Sequence, residues 1–222
     1  MFQMYPKRTI LGLTLMGSQA FLYNAIFFTY ALVLTGFYGI SAGTVPYYIF
    51  PFALGNVLGP WLLGRLFDTI GRVPMISACY FLAGGLMALT GYLFYLDILN
   101  AVTQTILWCI VFFASAAASA GYLTVSEVFP MEIRAMAIAL FYSVATAVGG
   151  ISGPIIFGQL IGTGNATNLF IGYLIGAALM IFAAVIELVL GVRAEGQSLE
   201  NVATPLTAIE EATGTSAAAS PT

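Results

Sequence analysis

Three carboxamides, Gln19, Asn24 and Asn56, sit inside long apolar stretches of a 222-residue chain. In hydrocarbon an unpaired amide is costly, so each must bond a neighbouring helix or face an aqueous cavity, where it offers a donor and an acceptor to a polar molecule. At 1.5 Å per residue Gln19 stands roughly 16 Å past Arg8, and Asn56 roughly 18 Å from Asp68. Both depths fall near the middle of a hydrocarbon core about 30 Å thick, and their agreement favours a shared cavity over helix-to-helix glue. Asn24 lies five residues after Gln19, about 140° around a regular helix, so the two share a face only if that helix bends or unwinds. Gln19, Tyr23, Phe27 and Tyr30 do recur at helical spacing. The Tyr23 ring can stack on a bound molecule, while Phe27 and Tyr30 suit packing or an interfacial aromatic belt.

A second group of side chains is charged and clustered. Gly64, Arg65, Asp68, Gly71 and Arg72 fall within nine residues between two apolar runs, and Glu127, Glu132 and Arg134 follow a later one. Asp68 can accept hydrogen bonds from a helix N-terminus, Gly71 permits a tight turn, and Arg65 or Arg72 can reach Glu127 or Glu132. Charges that merely anchor helix ends would explain the bases but not the acids beside them. Paired, they form a gate that holds one conformation and parts in another.

Other chemistry is excluded by composition. The chain has no His, and Cys79 and Cys109 lie in apolar runs as small buried hydrophobes, so neither a zinc site nor a disulfide is expected. No nucleophile and base pair up, so the chain is not read as an enzyme, and no metal or cofactor is expected. Asp97 stands at a helix end, and Glu187 precedes Arg193 by six residues, about 9 Å along a helix; both read as interfacial charges. The triplet Asn165-Ala166-Thr167 matches a glycosylation acceptor by coincidence.

The elements that must position these groups are membrane spans. Hydrophobic residues make up 60% of the chain and charged residues 7%, against about a quarter charged in a soluble domain. Six apolar stretches, 9–34, 45–67, 73–96, 102–125, 135–160 and 169–192, are each long enough to cross a bilayer. Backbone in lipid must satisfy its own hydrogen bonds and no barrel-like alternation is present, so the fold is all-α and polytopic. Lys7, Arg8, Arg65, Arg72, Arg134 and Arg193 all fall on one side, which the positive-inside rule makes cytoplasmic, with both termini inside. Residues 1–8 then form a cytoplasmic segment, 9–193 the membrane domain, and 194–222 a polar, disordered cytoplasmic tail. No cleavable leader is apparent. The partners expected are the lipid bilayer and a small solute, with no nucleic acid.

Two elements carry a family resemblance. The run from Gly64 through Asp68 to Gly71-Arg72 resembles the signature loop of the major facilitator superfamily, and Glu127-Val-Phe-Pro130-Met-Glu-Ile-Arg134 resembles the Glu-x-x-Pro-x-x-x-Arg element of its sugar-porter branch. Gln19 and Asn24 stand at two positions of that branch's Gln-Gln-x-x-Gly-x-Asn motif, with Ser18 and Leu22 departing from it. Asn56, twelve residues before Asp68, matches a sugar-contacting asparagine, and Gly196 to Val202 is similar to the stretch after the last helix. Tyr122 takes the place of the family's tryptophan on its tenth helix.

The resemblance implies the C-terminal six-helix half of a sugar or metabolite:proton symporter, built as a 3+3 inverted repeat in the cytoplasmic (plasma) membrane. Gln19, Tyr23, Asn24, Asn56 and Tyr122 would contact the solute, and Gly64, Arg65, Asp68, Gly71, Arg72, Glu127 and Arg134 would form the cytoplasmic gate. Alternating access would require an N-terminal half or a second copy of the chain. The family's Asn-Trp pair falls at Val144-Ala145, which widens the expected substrate from hexoses to small polar metabolites. A non-transporting membrane scaffold or regulatory fragment is the alternative, and it would have no use for midplane amides or paired charges.

Overall fold

A computed structural model describes residues 5–115 and 128–193, and these are entirely helical outside turns and connections. The elements are α1 (Pro6–Phe27), α2 (Tyr30–Gly36), α3 (Val45–Thr69), α4 (Arg72–Tyr95), α5 (Ala101–Ala114), α6 (Met131–Ala145), a π-helical turn (Thr146–Gly150), α7 (Ile151–Gly162) and α8 (Ala166–Leu190). Five continuous stretches are long and apolar enough to cross a membrane: Pro6–Gly36, Val45–Thr69, Arg72–Tyr95, Met131–Gly162 and Ala166–Leu190. The fourth expected span appears as the 14-residue α5, and its expected continuation lies outside the described residues.

Two spans are interrupted where a single helix was expected. In the first, α1 stops at Phe27 and α2 starts at Tyr30; the Thr29 hydroxyl bonds back to the Ala25 carbonyl, and the Leu32 amide reaches the Thr29 carbonyl. Such back-bonding competes with the helical ladder and bends it. In the fifth span, Pro154 cannot donate to the carbonyl of Gly150, and Thr146–Gly150, just before α7, form the π turn. This span also starts earlier than expected, at Met131 behind Pro130, so Glu132 and Arg134 belong to the first turn of α6 rather than to a connecting loop.

Small residues set the packing. A Cβ on Gly149 would stand 2.5 Å from the Gly17 carbonyl oxygen and 2.7 Å from the Phe21 nitrogen, so the π turn meets α1 backbone to backbone. Helices α4 and α8 run antiparallel in the most extensive pairing among the described elements, with Gly91 against Tyr173, Gly84 against Met180, and Val73 against Gly191. The core follows this seam and α1, through Leu15, Leu22, Ile76, Met87 and Met180. A smaller cluster of Met16, Phe129, Ala137 and Phe141 holds α6 to α1.

Candidate functional site

A cavity of about 350 Å³ opens between α1, α4 and α6. Its α1 wall is Met16, Gln19, Ala20, Tyr23 and Asn24, with Phe28 at the helix break; Tyr80 comes from α4, and Tyr142, Ala145 and Thr146 from α6 and the π turn. Gln19 is only 8% exposed, and its Oε1 has no hydrogen-bond partner among the described residues. An acceptor buried in that way can take a donor from a bound molecule or water.

Gln19 and Asn24 therefore share one cavity although α1 is regular between them. The break at Phe28–Thr29 lies beyond Asn24, so unwinding does not bring the two together. The cavity instead takes in a wide arc of the helix, from Gln19 and Tyr23 round to Ala20 and Asn24. Asn24 Nδ2 donates to the Ala20 carbonyl at 2.7 Å and lies against Gly150. Tyr23 is held by stacking on Phe27 and by an edge contact with Phe112.

Tyr80 and Tyr142 are the cavity residues that sequence reasoning missed. The Tyr80 hydroxyl donates to the Leu15 carbonyl at 2.8 Å, which ties α4 to the turn of α1 before Gln19. An isolated tyrosine in an apolar run gives no signal of which neighbour it faces. Asn56 is half-buried on α3, which packs chiefly against α5, and it is not among the cavity residues. Tyr122 lies outside the described residues.

A larger groove of about 560 Å³ lies between α3 and α5, lined by Tyr47, Tyr48 and Pro51 on one side and Ile106, Cys109 and Ile110 on the other. Two of its polar groups are already engaged: the Thr105 hydroxyl bonds Tyr30 at 2.7 Å, and Cys109 Sγ donates to the Pro51 carbonyl at 3.2 Å. Such a wall fits apolar chains rather than a polar solute.

At one end of the bundle the expected gate charges are partly assembled. Arg72 pairs with Asp68 at 3.8 Å, the arginine side chain 15% and the aspartate 74% exposed. Gly71 enters α4 with φ of 109°, a backbone conformation that favours glycine. Gly71, the N-cap of α4, has no side chain with which to cap that helix. Gly64 is half-buried with open space beside it, and Arg65 is exposed, its carbonyl accepting from the Thr69 hydroxyl. Arg134 Nη2 donates to the Phe129 carbonyl at 3.4 Å. Glu127 lies outside the described residues. Arg8, which was not assigned to the gate, reaches the Val128 carbonyl and packs over the Tyr5 ring, so α1 is tied to the segment before α6.

At the opposite end a buried polar chain joins three spans. The Tyr38 hydroxyl donates to Gln104 Oε1, and Gln104 Nε2 donates to the Tyr173 hydroxyl at 3.3 Å. Burial, and then the nearby Asp97 carboxylate, push the Tyr38 hydroxyl above the usual phenol range. Gln104 gave the same signal in the sequence as Gln19, an amide in an apolar run. The interfacial reading of Glu187 does not hold: this residue is 0% exposed, inside the last turn of α8.

The family model described as Sugar (and other) transporter matches residues 1–205. No curated protein matches the chain. With its apolar spans this match makes the chain an integral membrane protein. A match over nearly the whole sequence, on a bundle whose cavity carries Gln19 and Asn24 between apolar helices, leads to one conclusion: the chain belongs to the Sugar (and other) transporter family.

Proposed function

We propose that the chain carries a small polar organic solute, a sugar or another metabolite, across the cytoplasmic membrane by alternating access. The observation that carries this reading is the cavity between α1, α4 and α6, where the buried Gln19 Oε1 awaits a donor. Gln19, Tyr23 and Asn24 bind the solute in this reading, with Tyr80 and Tyr142 as further walls. Asn56 would join them only when α3 approaches the cavity, and Tyr122 is a further contact of the proposal.

The spans form a 3+3 inverted repeat in this proposal, and the chain acts as the C-terminal half of a major-facilitator carrier with both termini cytoplasmic. Residues 9–193 are its membrane domain and 194–222 its cytoplasmic tail. Support comes from the unequal burial of the spans: 17% of the most apolar window of α3 and 22% of that of Met131–Gly162 are buried, against 44–56% for the other three. These two spans offer the surface on which an N-terminal half or a second copy of the chain would seat. Asp68, Arg72, Glu127 and Arg134, with Gly64, Arg65 and Gly71, make the cytoplasmic gate, and proton coupling would mark a symporter.

The deciding experiment is solute uptake by the chain reconstituted alone and with a candidate N-terminal half. Uptake in either arm that is lost with Gln19→Ala supports the proposal. Correct insertion with no uptake in either arm favours the scaffold reading.

A further inference from the structure

Glu187 takes no part in the cavity or in the charge cluster. It is 0% exposed, and neither carboxylate oxygen has a hydrogen-bond partner among the described residues. The antiparallel register that sets Gly91 against Tyr173, Gly84 against Met180 and Val73 against Gly191 also sets Ser77 opposite Glu187. Ser77 is 2% exposed, and its hydroxyl is likewise without a partner among the described residues. Two buried polar side chains without partners thus lie at one level of the seam, not bonded to each other, with Glu187 Oε1 directed toward Gly191.

Among the described residues no positive charge is paired with Glu187, and Arg193, six residues on, is exposed. On α4 the charged group is Arg72, ion-paired with Asp68. On α1 the basic groups are Lys7, which is exposed, and Arg8, which bonds the Val128 carbonyl. Helix α7 carries no titratable side chain. A bare carboxylate in such a place costs several kcal/mol relative to water. A metal cation would want about six oxygen ligands, whereas the side chains here supply two from Glu187 and one from Ser77. A carboxylic acid is neutral, and it can both donate to and accept from a serine hydroxyl.

We propose that Glu187 and Ser77 form a proton-binding site at the end of the α4–α8 seam where Arg72 begins α4. The carboxyl holds a proton while the seam is closed. It releases that proton to water, becoming a carboxylate, when the two helix ends part. The site does not depend on which solute the cavity takes, nor on transport by this chain alone.

Infrared difference spectroscopy on the full chain in lipid vesicles reads the proton directly, because a carboxylic acid has a C=O stretch that a carboxylate lacks. At neutral pH the wild type is expected to show this acid band and Glu187→Gln to lose it. A wild-type spectrum with no acid band, or a band that Glu187→Gln leaves in place, overturns the proposal. Thermal unfolding gives a second readout, since glutamine copies the neutral acid in shape and charge. Glu187→Gln is expected to unfold at the wild-type temperature; a drop larger than that of Ser77→Ala would mean a charged, paired carboxylate and would also overturn it.

Discussion

Helices α3 and α8 are each 25 residues long, yet 44% of the most apolar window of α8 is buried and only 17% of that of α3. Helix α8 meets α4 through Gly176 and Ala177, against Met87 and Gly84, small residues that let two backbones approach. Helix α3 turns Tyr47, Phe50, Val57 and Trp61 outward, and it carries Pro51 and Pro60 in its interior. Apolar length alone specifies that a helix can cross a bilayer. The distribution of small and large residues around it decides whether protein or something else covers it.

The sharpest test of this contrast is a bulky residue in the seam. A Cβ on Gly91 would already stand 2.8 Å from the Tyr173 Cβ, so Gly91→Leu should lower stability by about 3 kcal/mol, the overpacking range. Thermal unfolding in detergent measures it. A loss under about 1 kcal/mol would break the comparison by showing that the seam yields.

Within the bundle, Gln19→Ala should weaken solute binding about tenfold, the worth of one hydrogen bond to a buried amide, with little change in stability. Asn56→Ala on the exposed helix should change binding less than about twofold. Equal losses in a binding titration would bring α3 into the cavity and erase its difference from α1.

Tyr38 extends the tightly held group to the other end of α8. Tyr38→Phe should cost about 1 kcal/mol by removing the bond to Gln104. The native state keeps the Tyr38 proton past the point where an unfolded chain releases it. Its contribution is therefore complete below about pH 10 and is lost as pH rises beyond that. Unfolding across the alkaline range should show a shallower decline in Tyr38→Phe. The smallest effect belongs to α3, where Trp61, 74% exposed, should change to Ala within about 0.5 kcal/mol in the isolated chain. A larger loss on adding an N-terminal half would identify what covers it.

The sequence made the spans legible because apolar length is a property of composition alone. Positions 9–34 and 45–67 were found within a few residues, and Gln19, Tyr23 and Asn24 were brought out by their chemistry before any neighbour was known. What escaped depends on registers between helices. Glu187 reads as interfacial from its distance to Arg193, and only the pairing of α4 with α8 buries it. Tyr80 and Tyr142 enter the cavity for the same reason. The break at Phe28–Thr29 needed a back-bonding threonine that composition cannot distinguish from one facing a neighbour, and Pro154 marked a distortion without showing that it would take the form of a π turn.

The backbone contact of Gly149 with Gly17 and Phe21 bears on how selectivity can evolve. With no side chain between α1 and the π turn, the spacing of these two walls cannot be tuned by exchanging one residue for a larger or smaller one. Variation in what the cavity accepts must therefore accumulate at Tyr80, Tyr142 and Thr146, which project into the space without carrying that contact. Relatives that keep glycine at the contact and differ at these three positions would be expected to share an architecture while differing in cargo.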